Sequence, residues 1–310
     1  MLPVLFSVGQ ISISSFGFFL ALGFLFGTFL VWRLARAWDL DEEKILDLVL
    51  LTFFGGLLGA RLFFISFNWD FFSQNPVSAL LLTKYPGLEF WGGVLGGWLT
   101  LAFFSRRLKV DFWQIADLSA VGFLGGLVLG DIGCFLGGCA IGLPSNLFFA
   151  TTVVGTVGKR FPIQLFEAAI FLIILLKIWP IASKFHFRGK IISLSLILLG
   201  VVKFLMDFFR AKTEGGQIFA MIILILGMTV FYKTSKRSFS EDIILAKKLL
   251  VSFLTENNAR KTIIINFKTN WYNGFKSVVQ NSKISWNWRI YRLKKLLRRW
   301  HVKHTPENIR

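Results

Sequence analysis

Charge is scarce in this chain. Only 17% of its 310 residues are Asp, Glu, Lys or Arg, against about 25% in an ordinary soluble domain. Hydrophobic residues make up 55%, and the mean hydropathy is +0.63. This excludes a soluble globular protein and implies an integral membrane protein. Cysteine is equally sparse. Cys134 and Cys139 supply neither a disulfide framework nor the paired Cys-x-x-Cys sets of a zinc site. They read as small apolar packing residues rather than ligands or nucleophiles, and no metal or cofactor is expected. The three histidines, His186, His301 and His304, fall outside the apolar runs, which leaves no imidazole base within them. The N-terminal MLPVLFSVGQIS lacks a basic region and leads into a run long enough to span a bilayer, so no cleavable signal is expected. No internal repeat is visible, which argues against a transporter.

What the chain does have is apolar runs near the length needed to cross a bilayer, notched by closely spaced glycines. The runs are 11–32, 45–67, 88–104, 115–135, 163–181, 191–209 and 217–232. The fold class expected is therefore all-α, with about seven transmembrane helices in a membrane domain covering 1–232. Glycine in a helix costs roughly 1 kcal/mol relative to alanine in water, whereas in lipid small residues let helix backbones approach closely. Gly92, Gly93, Gly96 and Gly97, and then Gly122, Gly125, Gly126, Gly130 and Gly133, fit that use. The stretch 68–86 reads as a polar, turn-rich loop. Residues 137–161, rich in glycine with a β-branched TTVVGTV, read as a loop with possible strand pairing.

Hinges after the first, third and fifth runs carry nine Lys/Arg and the opposite hinges five. The positive-inside rule therefore predicts the N-terminus outside and the C-terminus cytoplasmic. Residues 233–310 form a basic tail with 18 Lys/Arg against 4 Asp/Glu, net +14 of the chain's +18. Within it WNWRIYRLKKLLRRW, 286–300, interleaves aromatics and cations at helical spacing, as an amphipathic helix on an anionic leaflet would. The same composition would serve RNA contact or a solvated charged tail, but nucleic acid is the less expected partner.

Ionisable side chains at membrane depth are costly and mark candidate sites. Arg61, Asp117, Asp131, Glu167, Lys203 and Asp207 lie in or at the ends of apolar runs. Lys203 and Asp207, four apart on the sixth run, are expected to share a face and neutralise one another. That pair either presents a cation to a lipid phosphate or merely makes the helix tolerable in lipid. Asp117, Gln164 and Glu167 read as interhelical hydrogen-bonding groups. Arg61 either snorkels to headgroups or contacts substrate.

Several segments then stand in a telling order: PVLFSVGQISISSFG (3–17), GGLLGARLFF (55–64), GLEFWGGVLGG (87–97), FWQIADL (112–118), GDIGCFLGGCAIG (130–142), RFPIQLFE (160–167), KFLMDFFR (203–210) and GGQI (215–218). On these the chain resembles the prolipoprotein diacylglyceryl transferases, enzymes of the bacterial cytoplasmic (inner) membrane. They move the diacylglyceryl group of phosphatidylglycerol to the cysteine thiol of a prolipoprotein lipobox. The resemblance leaves the tail unmatched. It implies phosphatidylglycerol and a prolipoprotein as partners, and a site in which Arg61, Asp117, Gly133, Gly142, Arg160, Pro162, Gln164, Glu167 and Gln217 match the family pattern.

Other positions depart from that pattern. The family's signature arginine is Asp131 here and its asparagine is Cys134. A glutamate further along is Cys139, a His-Gly-Gly is Trp91-Gly92-Gly93, and a tyrosine is Phe16. On the sixth run the second arginine is Lys203 and the neighbouring glutamate is shortened to Asp207. The reaction breaks a glycerol C–O bond to phosphate, so it needs cations on the leaving phosphate and a base for a thiol of pKa about 8.5. The resemblance thus implies Lys203, Asp207 and Asp131 as catalytic residues, with Asp207 or Asp131 as base. Around the substrate it implies Arg61, Arg160, Gly133, Cys134, Gly142, Gln164 and Glu167. The alternative is a catalytically silent relative that binds lipid or a partner protein and works through its basic tail.

Overall fold

The computed structural model describes residues 2–8, 11–74, 76–79, 85, 87–153, 156–184, 186–211 and 215–235, and then 238, 239, 241, 242 and 244. The chain divides into two compact units, Met1–Arg237 and Ser238–Arg310. In the second unit the Asp242 N–H donates to the Ser238 carbonyl at 3.3 Å. The amphipathic helix expected over 286–300 lies outside the described residues.

The first unit opens with a hairpin of β1 (Val4–Val8) and antiparallel β2 (Ile11–Ser14). The first helix, α1, is Ser15–Ala37, so residues 11–14 are strand rather than the start of a span. ISIS alternates polar and apolar with period two, and Ser14 is better used as an N-cap, its Oγ accepting from the Gly17 N–H at 3.1 Å. Next come α2 (Glu42–Phe67), a short α3 (Trp69–Gln74), a 3-10 turn (Pro76–Ala79), α4 (Phe90–Arg107) and α5 (Phe112–Gly137). The loop 68–86 therefore contains helical turns. Asp41 starts α2 and Asp111 starts α5, each accepting from the backbone three residues on. The Lys44 ammonium, hydrogen-bonded to Asp41, holds that carboxyl below its usual range. The small strands β3 (Thr151–Thr152) and β4 (Lys159–Arg160) pair antiparallel, as the β-branched run suggested. The helices α6 (Ile163–Ala182), α7 (Lys190–Asp207) and α8 (Gly216–Ser235) complete the unit.

Five of these helices, α1, α2, α5, α6 and α8, are long and apolar enough to cross a membrane. The protein is a multi-pass, all-α membrane protein. Large side chains such as Leu58 and Leu62 on α2 and Ile225 on α8 are exposed, as expected where the neighbour is lipid. Helix α5 is apolar all round, and accordingly it is the central element, packed against α1, α6 and α7. Its Leu118, Val121 and Leu124 are fully buried.

The glycines set the interhelical spacing. Gly122 and Gly126 of α5 face Gly23 and Gly27 of α1, where a Cβ on Gly27 would stand 2.6 Å from the Gly122 carbonyl oxygen. The same pattern joins α2 to α4, where a Cβ on Gly96 would stand 2.8 Å from the Gly59 Cα. Both contacts are the small-residue packing that lipid favours.

At one end of α5, Asp117 accepts from the Gly189 N–H at 2.7 Å and the Ile192 N–H at 2.8 Å, so it caps α7 from a neighbouring helix. At the other end a short extended segment, 141–145, is threaded between β4 and the residues after α7. Phe161 N–H donates to Leu143 O and Ser145 N–H to Lys159 O, each at 3.0 Å; Leu143 N–H reaches Phe209 O and Ala211 N–H reaches Ile141 O, each at 2.9 Å. This backbone lattice ties the ends of α5, α6 and α7 together.

Candidate active site

Beneath that lattice the helices α5, α6 and α7 bring their charges into one buried network. Lys203, 6% exposed, donates from Nζ to Glu167 Oε2 at 2.8 Å, with Asp131 Oδ1 at 3.9 Å. Its ammonium also stands 4.6 Å from the Phe90 ring centroid and 5.5 Å from that of Phe171, a further favourable setting for a desolvated cation. Arg210 joins from just beyond α7. Its Nη2 is 3.5 Å from Glu167 Oε1 and its Nε is 3.2 Å from Asp207 Oδ1.

This differs from the pairing expected within α7. Lys203 and Asp207 share a face, but each is matched by a different opposite charge: Glu167 and Asp131 reach Lys203 from α6 and α5, and Asp207 pairs with Arg210. Ion pairing across helices replaces the pair within one helix because the neighbouring helices present carboxylates at the level of Lys203, whereas Asp207 lies one turn nearer the end, beside Arg210. The carboxyl of Asp207 also packs against Gly216 at the start of α8, where a side chain would collide with it.

The remaining candidates sort by what they touch. Gln164 is buried and donates from Nε2 to the Ala140 carbonyl at 2.7 Å, fastening the loop after α5 to the first turn of α6. Arg160 stands on β4, half-buried, and its Nε is buried without a hydrogen-bond partner. Gly133 meets Phe19 of α1, and a Cβ there would lie 2.5 Å from the Phe19 Cβ. Gly142 lies against the Phe161 carbonyl with no room for a side chain and bridges to Arg210 through its backbone. These two glycines serve close packing around the network. Cys134 follows Asp131 by one helical turn and is half-buried.

Arg61 is placed elsewhere. Its guanidinium donates to four backbone carbonyls, Ala79 at 2.9 Å, Tyr85 and Gly87 at 3.0 Å each, and Ser78 at 3.4 Å. The rings of Phe64 and Phe72 flank it. It staples Ser78, Ala79, Tyr85 and Gly87 to α2, and no described contact joins it to Lys203 or Asp131. Conversely, Arg210 is a member of the network that was not among the ionisable candidates at membrane depth. Its spacing was the available signal, since 207 and 210 are three apart at the close of the sixth run, although Arg210 itself lies past the end of α7.

The network thus holds two cations and three carboxylates within contact of one another. Two carboxylate oxygens, Asp131 Oδ2 and Glu167 Oε1, are buried and lack a hydrogen-bond partner; the second stands 3.5 Å from Arg210 Nη2, and the first has no cation that close. Such a site has donors for an anionic oxygen and a carboxylate able to take a proton. The profile of the prolipoprotein diacylglyceryl transferase family matches residues 3–233. The chain belongs to the prolipoprotein diacylglyceryl transferase family. The phosphatidylglycerol–prolipoprotein diacylglyceryl transferase of Finegoldia magna is 27% identical over 246 residues, covering 77% of this chain and 98% of that protein. A Clostridium perfringens enzyme of the same name, numbered 2, is 26% identical over 245 residues, covering 75% of this chain and 95% of its own. A Deinococcus radiodurans relative of that name reaches 34% identity over a shorter stretch of 140 residues, 44% of this chain and 41% of the relative. The transferase family match covers every residue of the buried network and ends at the close of α8.

Proposed function

We propose that the protein transfers the diacylglyceryl group of phosphatidylglycerol to the lipobox cysteine thiol of a prolipoprotein. The observation that carries this reading is the buried network of Lys203, Glu167, Asp131 and Arg210 in a chain of this family. Seven helices, α1, α2 and α4 to α8, span the membrane, with the N-terminus outside and the C-terminus in the cytoplasm. The asymmetry of Lys and Arg between alternate hinges supports that orientation. It puts the network near the outer face of the bacterial cytoplasmic membrane, where a secreted prolipoprotein would present its cysteine. The basic tail, 233–310, lies on the cytoplasmic side.

In this reading Lys203 holds the phosphate of the lipid, with Arg210 in the same network and Arg160 on β4 as further donors. Lysine offers a point charge rather than arginine's bidentate fork, so position matters, and Glu167 supplies it by fixing the ammonium at 2.8 Å. Asp131 accepts the thiol proton on its unpartnered oxygen. The sulfur then attacks the glycerol carbon, the C–O bond to phosphate breaks with its electron pair going to oxygen, and glycerol phosphate leaves. Two changes help each other. Protonation removes one of three carboxylate charges just as the leaving phosphate gains charge beside Lys203. Asp207 positions Arg210 from within α7, and Gln164 holds the loop that closes over the network.

The test is turnover by the purified protein in vesicles containing phosphatidylglycerol and a peptide with a lipobox cysteine, read by mass. The reading expects a diacylglyceryl-modified peptide and an equal amount of glycerol phosphate. Peptide that stays unmodified, beside a relative that modifies it under the same conditions, would refute it.

A further inference from the structure

The last turn of α5 carries a chemical feature that the proposed transfer does not use. Gly138 follows the helix at φ 73°, its N–H reaches the Phe135 carbonyl at 3.4 Å, and the Cys139 N–H reaches the Cys134 carbonyl at 3.0 Å. This is a Schellman turn, which brings the side chain of the residue whose carbonyl accepts the outer hydrogen bond, here the fourth-last of the helix, against the one two residues past the helix. That contact is normally between apolar groups. Here both residues are cysteines and both are free, so the turn sets two thiols side by side. Cys139 is exposed and Cys134 half-buried, so a reagent meets Cys139 first.

We propose that Cys134 and Cys139 are a reversible dithiol–disulfide pair that covalently closes the cap of α5. The oxidant is a small-molecule or protein disulfide. Cys139 attacks it as the thiolate, forming a mixed disulfide and releasing one thiol. Cys134 then attacks the Cys139 sulfur, and the second thiol leaves. Two protein thiols and one disulfide become one protein disulfide and two thiols, so electrons and protons balance. The Cys134 thiol beside Cys139 holds the Cys139 thiol below its ordinary value, which suits it to the first attack.

The position gives the bond a consequence. Asp131 is one turn before Cys134, and the residue after Cys139, Ala140, is the one that Gln164 holds. Closing the cap therefore fastens the loop over the buried network to the helix that carries Asp131. The next two points rest on the proposed function and its orientation. This end of the bundle then faces an oxidising compartment, where a disulfide persists. A free Cys139 thiol would compete with the lipobox thiol as acceptor, and the disulfide removes that competitor.

The experiment treats the full-length protein in detergent with dithiothreitol or with oxidised glutathione, alkylates it with N-ethylmaleimide, and reads intact and peptide masses. The reduced protein is expected to take two maleimides. The oxidised protein takes none, is lighter than the reduced, unalkylated chain by two hydrogens, and yields a fragment linking Cys134 to Cys139. Cys134→Ser is expected to trap one glutathione on Cys139, which also shows that a folded variant still exposes that thiol. Two maleimides after oxidation, glutathione retained on the wild-type protein, disulfide-linked dimers, or no adduct on Cys139 in the variant would each overturn the proposal. No readout needs turnover, so a protein that forms the disulfide but transfers no lipid would sink the transferase reading and leave this one standing.

Discussion

Lys203→Met tests the physics of the network before any chemistry is involved. The side chain is 6% exposed, and its ammonium is the nearest cation to Glu167, at 2.8 Å, and to Asp131, at 3.9 Å. Methionine keeps most of the volume and removes the charge. Glu167, 1% exposed, then keeps only Arg210 at 3.5 Å, and Asp131 loses the one cation within 4 Å of it among the described residues. Removing one partner of a buried pair costs about 3–5 kcal/mol, because the other charge is left desolvated and uncompensated. Neutralising the partner as well, in Lys203→Met with Glu167→Gln, recovers most of that, since a buried pair replaced by neutral groups is often close to even. The exposed pair Arg36 and Glu42, at 3.2 Å, sets the scale for an ion pair in water, where breaking it costs about 0–1 kcal/mol. Reversible unfolding in mixed micelles, followed by tryptophan fluorescence, gives all these values under one condition. A loss below about 1 kcal/mol for Lys203→Met, or a double variant no more stable than the single, would show that the ammonium is not held by these carboxylates.

The other predictions concern the scaffold. Arg61→Ala leaves four carbonyls without their donor and should raise proteolysis and hydrogen exchange around Ser78, Ala79, Tyr85 and Gly87, and Arg61→Lys should fail to restore protection because an ammonium cannot span four acceptors in a planar fork. Gly96→Leu places a side chain where a Cβ already meets the Gly59 Cα at 2.8 Å, so it should cost about 1–3 kcal/mol by overpacking, read in the same unfolding assay. Gly130→Ala, with nothing within 4 Å of the added carbon, should cost nothing and gain up to about 1 kcal/mol of helix propensity. Asp117→Asn loses one of the two acceptors that cap α7 and should destabilise by about 1–3 kcal/mol, with faster exchange at the Gly189 and Ile192 amides. It should leave lipid transfer, per folded molecule, unchanged.

Much of the fold was legible because lipid makes the rules strict. An apolar run near twenty residues has few alternatives to a helix in a bilayer, and the long helices begin and end close to the runs that announced them. Glycine spacing foretold close helix contacts, although not that α1 would meet α5 and α2 would meet α4. The hairpin at 4–14 was hidden because ISIS is apolar enough to be absorbed into the following run. Its period-two alternation was too short to stand out.

Lys203, Asp131 and Glu167 were found through the cost of burying charge and through family resemblance. Their pairing was not, because a sequence shows neighbours along a helix and conceals those across it. The same limit explains Lys203 joining Glu167 rather than Asp207, and Arg61 turning to carbonyls supplied by a loop seventeen to twenty-six residues away. The contact between Cys134 and Cys139 was in principle readable. Glycine at 138 after an apolar helix signals the turn that joins positions five apart.

The central claim is that Lys203, fixed by Glu167 and freed of competition by proton uptake at Asp131, carries the phosphate in a working transferase. The most direct measurement is the rate of diacylglyceryl transfer from labelled phosphatidylglycerol to a lipobox peptide by wild-type protein, Lys203→Ala and Asp131→Asn, each normalised to folded protein. The account predicts transfer by the wild type and a loss of at least about a hundredfold in each variant, the scale of removing one charge-stabilising or acid–base group. Wild-type transfer that persists undiminished in Lys203→Ala would contradict it.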